Sequence, residues 1–180
     1  MARFHTTLPP RNLPLNLQQF ATRHASLADN ARVMAALWTA TQDAGNACFE
    51  AKYHFNFWRP QSAIPLAADD GNVATAADAS WTPVVPTPNH PEYPSAHGCF
   101  TGSTSEVLQQ VYGTKKNRFS FVSTVTGTTR WYDSTNEFIK EVMSARVWGG
   151  MRFRSANEDG AELGKNVAKW VMKHHFQATE

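Results

Sequence analysis

The stretch Lys52-Tyr-His-Phe-Asn-Phe-Trp-Arg59-Pro60 carries two cations among aromatic residues at the end of a predicted helix. Lys52 and Arg59 stand seven residues apart, which is two helical turns, so we expect both side chains on one face of that helix. Cations buried side by side need an anion or carboxylates between them, and the residues around these two are aromatic rather than acidic. An anion site is one interpretation of this stretch. The alternative is that both side chains lie over the bundle surface with their charges in water.

On the amino-terminal side of this stretch, the sequence predicts one long helix. Ser26 is a suitable N-cap, and small or apolar residues recur at spacings of three and four from Leu27 to Ala51. We expect the helix to run to about Trp58, because Pro60 disfavours helical conformation at the residue before it. Residues 1–25 are predicted to form an amino-terminal arm, and residues 26–180 a single helical domain.

On the carboxyl-terminal side, residues 65–96 form a long loop rich in proline, which leads to Pro94-Ser95-Ala96-His97 at the start of a second helix. Loops of this length inside a compact domain are usually functional. The free backbone N–H groups and the positive dipole end at such a helix start attract anions. Ser95 could add a hydroxyl donor, and His97 could act as a general acid or base. Alternatively, Ser95 is an ordinary N-cap and His97 a polar residue of the first turn.

The rest of the chain predicts a small hairpin and two further helices. Residues 117–132 alternate weakly, as a short hairpin does. A third helix begins after Ser134 and ends near Gly149, and a fourth begins at Ser155 with a capping box and ends near Phe176. Its predicted core face consists of Leu163, Val167, Trp170 and Val171. The fold class is therefore mainly α, a helical bundle with a small hairpin.

Arg146 lies near the carboxyl end of the predicted third helix. A guanidinium group suits tetrahedral oxyanions because it offers paired donors in one plane. The alternative is that Arg146 compensates the dipole at a helix end. Three separate segments that each supply donors favour one common oxyanion pocket over three unrelated explanations.

These three segments, in this order, resemble the superfamily of vanadium-dependent haloperoxidases and type 2 phosphatidic acid phosphatases. From about Ser26 to Phe176, the chain is similar to the carboxyl-terminal catalytic half of a soluble bacterial vanadium haloperoxidase-like protein. Further matching stretches are Phe57-Trp58-Arg59-Pro60, His90-Pro91-Glu92-Tyr93-Pro94, Ala145-Arg146 and Gly149-Gly150. The resemblance implies the helical bundle of that superfamily, with the proline-rich loop at its active site.

The resemblance also implies roles for individual residues. Donors to the oxygens of vanadate as cofactor, or of phosphate as ligand, would be Lys52, Arg59, Ser95, the backbone of Ala96, and Arg146. His97 would be the acid or base that handles peroxide or a leaving group. Ala96 replaces a glycine of the family pattern, which is a mild change because alanine keeps the backbone N–H.

Arg152 stands where the superfamily has its second histidine. That histidine ligates vanadium in the haloperoxidases and accepts phosphate in the phosphatases. Arginine stays protonated, so it has no lone pair to offer either atom. We expect no directly ligated metal and the loss of any covalent step at this position, while Arg152 could strengthen electrostatic binding of an oxyanion.

Three functions remain open on these grounds. The first is peroxide-dependent halide oxidation, impaired by Arg152. The second is a soluble acid phosphatase that acts on a phosphoester. The third is a non-catalytic protein that binds an oxyanion without turnover. A structural bundle without any site is a fourth interpretation, which the agreement of the motifs disfavours.

The composition of the chain limits the classes of binding partner that we expect. The 180 residues carry a formal charge of only +2, and the basic residues are scattered, which argues against nucleic acid. No stretch approaches the roughly 20 apolar residues of a membrane span, and no apolar signal segment is visible at the amino terminus. We therefore expect a soluble protein without a membrane partner, cytoplasmic by default. A homo-oligomer is an alternative, because an incomplete bundle would expose apolar faces.

Overall fold

The computed structural model describes residues 1–6, 16–23 and 26–176. Its main helices are α1 (Leu27–Phe55), α3 (Ala96–Tyr112), α4 (Thr135–Trp148) and α5 (Arg154–His175), with a single helical turn, α2 (Pro60–Ala63), after α1. Short 3-10 helices lie at Ala2–His5, Gln18–Phe20 and Ala67–Asp69, and the strands are β1 (Phe119–Val122) and β2 (Thr129–Tyr132). The predicted fold class, a mainly helical bundle with a small hairpin, is confirmed. The division into an arm and a domain at residue 25 stays a prediction, and part of it lies outside the described residues.

Helices α3 and α5 touch through their backbones. A Cβ atom on Gly98 of α3 would lie 2.8 Å from the carbonyl oxygen of Asn157, and one on Gly160 of α5 would lie 2.6 Å from the carbonyl oxygen of Ser95. At Gly164, a Cβ atom would overlap the carbonyl oxygen of Cys99 and lie 2.9 Å from the backbone nitrogen of Ser103. Only glycine leaves room for this approach, which presses the start of α3 against α5.

The buried face of α5 differs from the predicted one. Trp170 is 55% exposed, and Leu163 and Val167 are only partly buried, whereas Val171 is fully buried as predicted. Most of the buried face consists of small residues, namely Ala156, Gly160, Ala161, Gly164 and Ala168. A pattern of large apolar residues does not reveal this face, because close helix contact requires small side chains.

Helix α1 ends three residues earlier than predicted. Asn56 adopts the left-handed conformation with φ of 43°, and its N–H donates to the carbonyl oxygen of Lys52. Arg59 is extended, with φ of −99° and ψ of 159°, and it is the N-cap of α2 with Pro60 in the first turn. The prediction that Lys52 and Arg59 share a face of one helix is therefore wrong, because asparagine tolerates the left-handed cap that stops α1.

The other helix starts follow the predicted caps with one exception. The hydroxyl groups of Ser26, Ser95 and Ser134 each accept a hydrogen bond from a backbone N–H three residues later. Helix α5 begins after Phe153 rather than at Ser155, and it has no side-chain cap of its own. A distant carboxylate takes that role, because the N–H of Phe153 donates to Oε1 of Glu92 at 2.9 Å.

The hairpin closes one end of the core. The strands β1 and β2 pair in antiparallel fashion, with Phe119 opposite Tyr132. Both rings are buried and pack against Phe138 of α4, at centroid distances of 5.4 and 5.0 Å. Within the described part of the chain, no helix combines the length and apolar character that a membrane span needs.

Several aromatic side chains remain exposed on α1 and the turn after it, namely Phe49, Tyr53, Phe55, Phe57 and Trp58. The two cysteines, Cys48 and Cys99, are buried free thiols, as apolar core residues are expected to be. The prediction of self-association stays a prediction.

Replacing Gly164 by alanine should destabilise the protein by about 2 kcal/mol or more, because the new methyl group overlaps the backbone of α3. Intrinsic helix propensity alone would give the opposite sign, about 1 kcal/mol of stabilisation. Urea unfolding measures the change, and Asn166→Ala, at an exposed position on the same helix, serves as the matched control. A stabilised Gly164→Ala variant would contradict the backbone contact.

Candidate oxyanion site

Three cationic side chains from three parts of the chain meet at one backbone oxygen, the carbonyl of Pro91. Lys52 Nζ lies 3.0 Å from it, Arg152 Nη1 3.3 Å and Arg59 Nη2 3.4 Å. A carbonyl group accepts hydrogen bonds from these cations but carries no net charge to neutralise them. The segment His90–Pro94, here called the 90–94 turn, thus organises the cluster without balancing it.

Lys52 is fully buried, and among the described residues its ammonium group is hydrogen-bonded only to the 90–94 turn. Its ammonium group donates to the carbonyl oxygens of Pro91, Glu92 and Pro94. These three acceptors use all three of its donors. Burial, with the charge of Arg152 added, lowers the pKa of Lys52 to about 7.

Arg59 reaches the cluster from the first residue before α2. Its Nε and Nη2 donate to the carbonyl oxygen of His90 at 2.9 and 2.7 Å, and its Nη1 donates to that of Met151 at 2.9 Å. Burial and the charge of Arg152 lower the pKa of Arg59 to about 9. Arg59 therefore joins the 90–94 turn to the segment that carries Arg152.

Arg152 is the cation whose charge acts on the three other basic residues of the site. The residue is 2% exposed. Burial is the largest cause of the lowered pKa values of Lys52, Arg59 and Arg146, and the charge of Arg152 lowers each of them further. Burial lowers the pKa of Arg152 itself. Its Nε has no hydrogen-bond partner among the residues that the structure describes.

Glu92 is the residue of this site to which the sequence analysis gave no role. Its carboxylate is fully buried; Oε1 accepts from the N–H of Phe153, while Oε2 has no partner within the described residues. Burial raises the pKa of Glu92, and the charges of Arg152 and Arg59 act in the opposite direction. The available signal was an acidic residue inside a proline-rich turn, but its cationic neighbours come from distant segments.

Arg146 and His97 face a separate cavity of about 400 Å³. Arg146 is 1% exposed, and its Nη1 donates to the carbonyl oxygen of His5 at 3.0 Å. Its Nε has no partner among the described residues. Burial, with the charges of Arg152 and Arg59, lowers the pKa of Arg146 to about 9, so this cavity and the cluster at the 90–94 turn share one electrostatic environment.

Ser95 and Ala96 contribute to the helix start rather than to the cavity wall. Ser95 is fully buried, its hydroxyl accepts from the N–H of Gly98 at 3.3 Å, and its own N–H donates to the carbonyl oxygen of Ala156 at 2.8 Å. This is the N-cap geometry that the sequence left as an alternative. Their roles as donors to an oxyanion stay predictions.

Residues 32–180 match the profile of the VCPO second helical-bundle domain. The chain belongs to this family. The superfamily membership predicted from the three basic segments is thereby confirmed.

Relatives of this haloperoxidase-family chain are longer than it is. The vanadium chloroperoxidase of Curvularia inaequalis is 32% identical over 104 residues, which cover 53% of this chain and 17% of that protein. The first bacterial vanadium-dependent iodoperoxidase structure matches with a TM-score of 0.71 and 29% identity, over 87% of this chain and 37% of that one. A holo-type bacterial vanadium-dependent chloroperoxidase matches with a TM-score of 0.70 and 17% identity, over 87% and 38% of the two chains, and shows the fold alone.

An ion-pair network holds the amino-terminal 3-10 helix of this haloperoxidase-family chain against α4. Oε1 of Glu141 lies 2.9 Å from each of three donors, His5 Nε2, Arg130 Nη1 and the hydroxyl of Tyr132. Burial alone would raise the pKa of Glu141, but these hydrogen bonds and charges hold it below its ordinary value. Residues 2–5 of the predicted amino-terminal arm are therefore helical and docked.

Replacing Glu92 by glutamine should lower the stability of the protein by about 2 kcal/mol, since the cluster loses a countercharge while the acceptor for Phe153 is kept. Urea unfolding at low salt measures the change, and added phosphate should restore part of it. Glu162→Gln, at an exposed site on α5, is the control. An unchanged stability would mean that Glu92 carries no charge in the folded protein.

The stability should also fall as the pH drops from 6.5 to 4. Burial lowers the pKa of His5 to about 4, and Arg130 and Arg146 add to this, while Glu141 opposes it. In this window the unfolded chain binds a proton that the folded chain excludes, which removes of the order of 3 kcal/mol. His90, whose pKa burial also lowers to about 4, acts in the same direction.

The variant His5→Gln should therefore show a smaller loss of stability between pH 7 and pH 4.5 than the parent protein. Urea unfolding at both pH values gives the difference. His174→Gln, which changes an exposed histidine near the end of α5, should leave the loss as it is in the parent. Equal pH dependence in His5→Gln and the parent would contradict the buried, neutral state of His5.

Proposed function

We propose that this chain is an oxyanion-binding domain of the vanadium haloperoxidase type, which holds vanadate or phosphate by hydrogen bonds from basic side chains. The observation that carries the proposal is the set of four buried cations, Lys52, Arg59, Arg146 and Arg152. Within this set the charge of Arg152 acts on each of the other three, and one carboxylate, that of Glu92, acts on Arg59 and Arg152. Buried charges of one sign require an anion to be stable.

The donors present fit a tetrahedral oxyanion. Arg146 and Arg152 each have a buried Nε without a protein acceptor among the described residues, and such donors suit the oxygens of vanadate or phosphate. Bound vanadate would supply the centre that activates peroxide for halide oxidation. The site does not fit vanadium ligation at residue 152, because a protonated guanidinium offers no lone pair.

His97 is the proposed acid or base. It lies in the first turn of α3 and faces the same cavity as Arg146, where an imidazole can give or take a proton at neutral pH. Halide oxidation of this type is therefore proposed to be slow or absent, since acid–base help is present but the second histidine is not.

Oxyanion binding without turnover is the second candidate, and Arg152 favours it. It adds a cation at the place where the superfamily pattern has its second histidine, so it strengthens attraction while removing a nucleophile or ligand. A soluble acid phosphatase that acts on phosphoesters would need the same histidine, and Arg152 counts against that activity as well.

Binding and turnover should separate in one experiment. Isothermal titration with orthovanadate and with inorganic phosphate should detect binding to the parent protein and none to Arg59→Ala or Arg146→Ala, because a desolvated oxyanion then loses paired, charged donors. Bromide oxidation with vanadate and hydrogen peroxide should be weak or absent in the parent protein and should appear or increase in Arg152→His.

The control is Arg118→Ala, which removes an exposed guanidinium and should leave binding unchanged. Unchanged binding in both Arg59→Ala and Arg146→Ala would refute the proposed site. Clear turnover by the parent protein, at the level of Arg152→His, would show that residue 152 is not the ligand position, and the non-catalytic alternative would then be wrong.

A further inference from the structure

The amino-terminal 3-10 helix forms one wall of the cavity that Arg146 and His97 face. Arg3 and Thr6 line this cavity opposite apolar residues of the proline-rich loop, among them Val85. Arg3 is an exposed residue of this lining, so its side chain is open to solvent. The wall thus brings a further cation, from a segment outside the three basic motifs, to the proposed site.

The position of this helix is set in part by the contacts of Phe4, the residue after Arg3. Phe4 is 3% exposed, and its carbonyl oxygen accepts from the Ser123 hydroxyl at 2.7 Å. The guanidinium of Arg130 lies over the Phe4 ring, 4.9 Å from its centroid. These contacts hold the residue next to Arg3 in the core.

Glu141 connects this helix to the proposed site. Its Oε1 binds His5 through Nε2, and the backbone carbonyl of the same His5 accepts from Nη1 of Arg146. His5 therefore joins the partly buried carboxylate of Glu141 to the arginine that faces the cavity. Losing the negative charge of Glu141 would loosen His5 and, with it, both Arg3 and the orientation of Arg146.

We infer that Arg3 is an additional oxyanion-binding residue and that Glu141 is a positioning residue, which holds the amino-terminal helix so that Arg3 and Arg146 act on the same anion. The inference rests on the proposed function, and it adds a contact that none of the three motifs supplies. An exposed arginine at a cavity acts mainly through attraction of the anion, which salt screens.

The variant Arg3→Gln should bind inorganic phosphate and orthovanadate about 5- to 10-fold more weakly at low ionic strength, and the difference should shrink at about 0.5 M salt. Arg3→Lys should recover part of the affinity. Arg118→Gln is the matched control, because it removes an exposed arginine near the hairpin and should leave affinity unchanged. Titration calorimetry measures all four proteins, and thermal unfolding confirms equal stability.

Glu141→Gln should weaken binding to a similar extent, whereas Glu137→Gln, on the same helix, should not. The double variant Arg3→Gln, Glu141→Gln should lose less affinity than the two single losses added together, because Glu141 acts in part through Arg3. A merely structural Glu141 would give additive losses, and this outcome would overturn its positioning role.

Two further outcomes distinguish the inference from the proposed function. If the parent protein binds phosphate and vanadate but Arg3→Gln binds them equally well at low salt, Arg3 lies outside the site and the inference is wrong. If the parent protein binds neither anion, the proposed function fails, and the inference fails with it.

Discussion

The carbonyl group of Pro91 accepts hydrogen bonds from three cations, and much of the site depends on this shared acceptor. Lys52 comes from α1, Arg59 from the turn after it and Arg152 from the segment before α5. Each would repel the others in an apolar interior, so the 90–94 turn must lie between them. The three segments that carry these cations are therefore joined through a loop, although helices supply most of the core of the bundle.

The glycine contacts between α3 and α5 give this arrangement its second constraint. A side chain at Gly160 would strike the backbone of Ser95, which immediately precedes the helix that carries His97. The same approach places the start of α3 beside Ala156, four residues after Arg152. Small residues in α5 therefore decide how close the proposed acid or base comes to the cationic cluster.

Local features of the fold were predictable from sequence, and features that depend on distant contacts were not. The serine caps of α1 and α4 were predicted, and that of α3 was one of two alternatives, because a cap depends on its neighbours within one turn. The basic residues were predicted because guanidinium and ammonium groups are recognisable from residue type alone as groups that bind oxyanions. The early end of α1 was not predicted, because Pro60 indicates a stop near Trp58 whereas Asn56 ends the helix first.

Glu92 and the docked amino-terminal helix were missed because their partners lie far away in sequence. The bond from Phe153 to Glu92 spans 61 residues, and that from His5 to Glu141 spans 136. Lys52 shows how burial of this kind changes the pKa of a side chain. Burial, with the charge of Arg152 added, lowers its pKa to about 7, so its ammonium group gives up a proton more readily near neutral pH than an exposed lysine does. Any anion that enters the cluster would favour the ammonium form, so anion entry and proton uptake from the solvent become one coupled event.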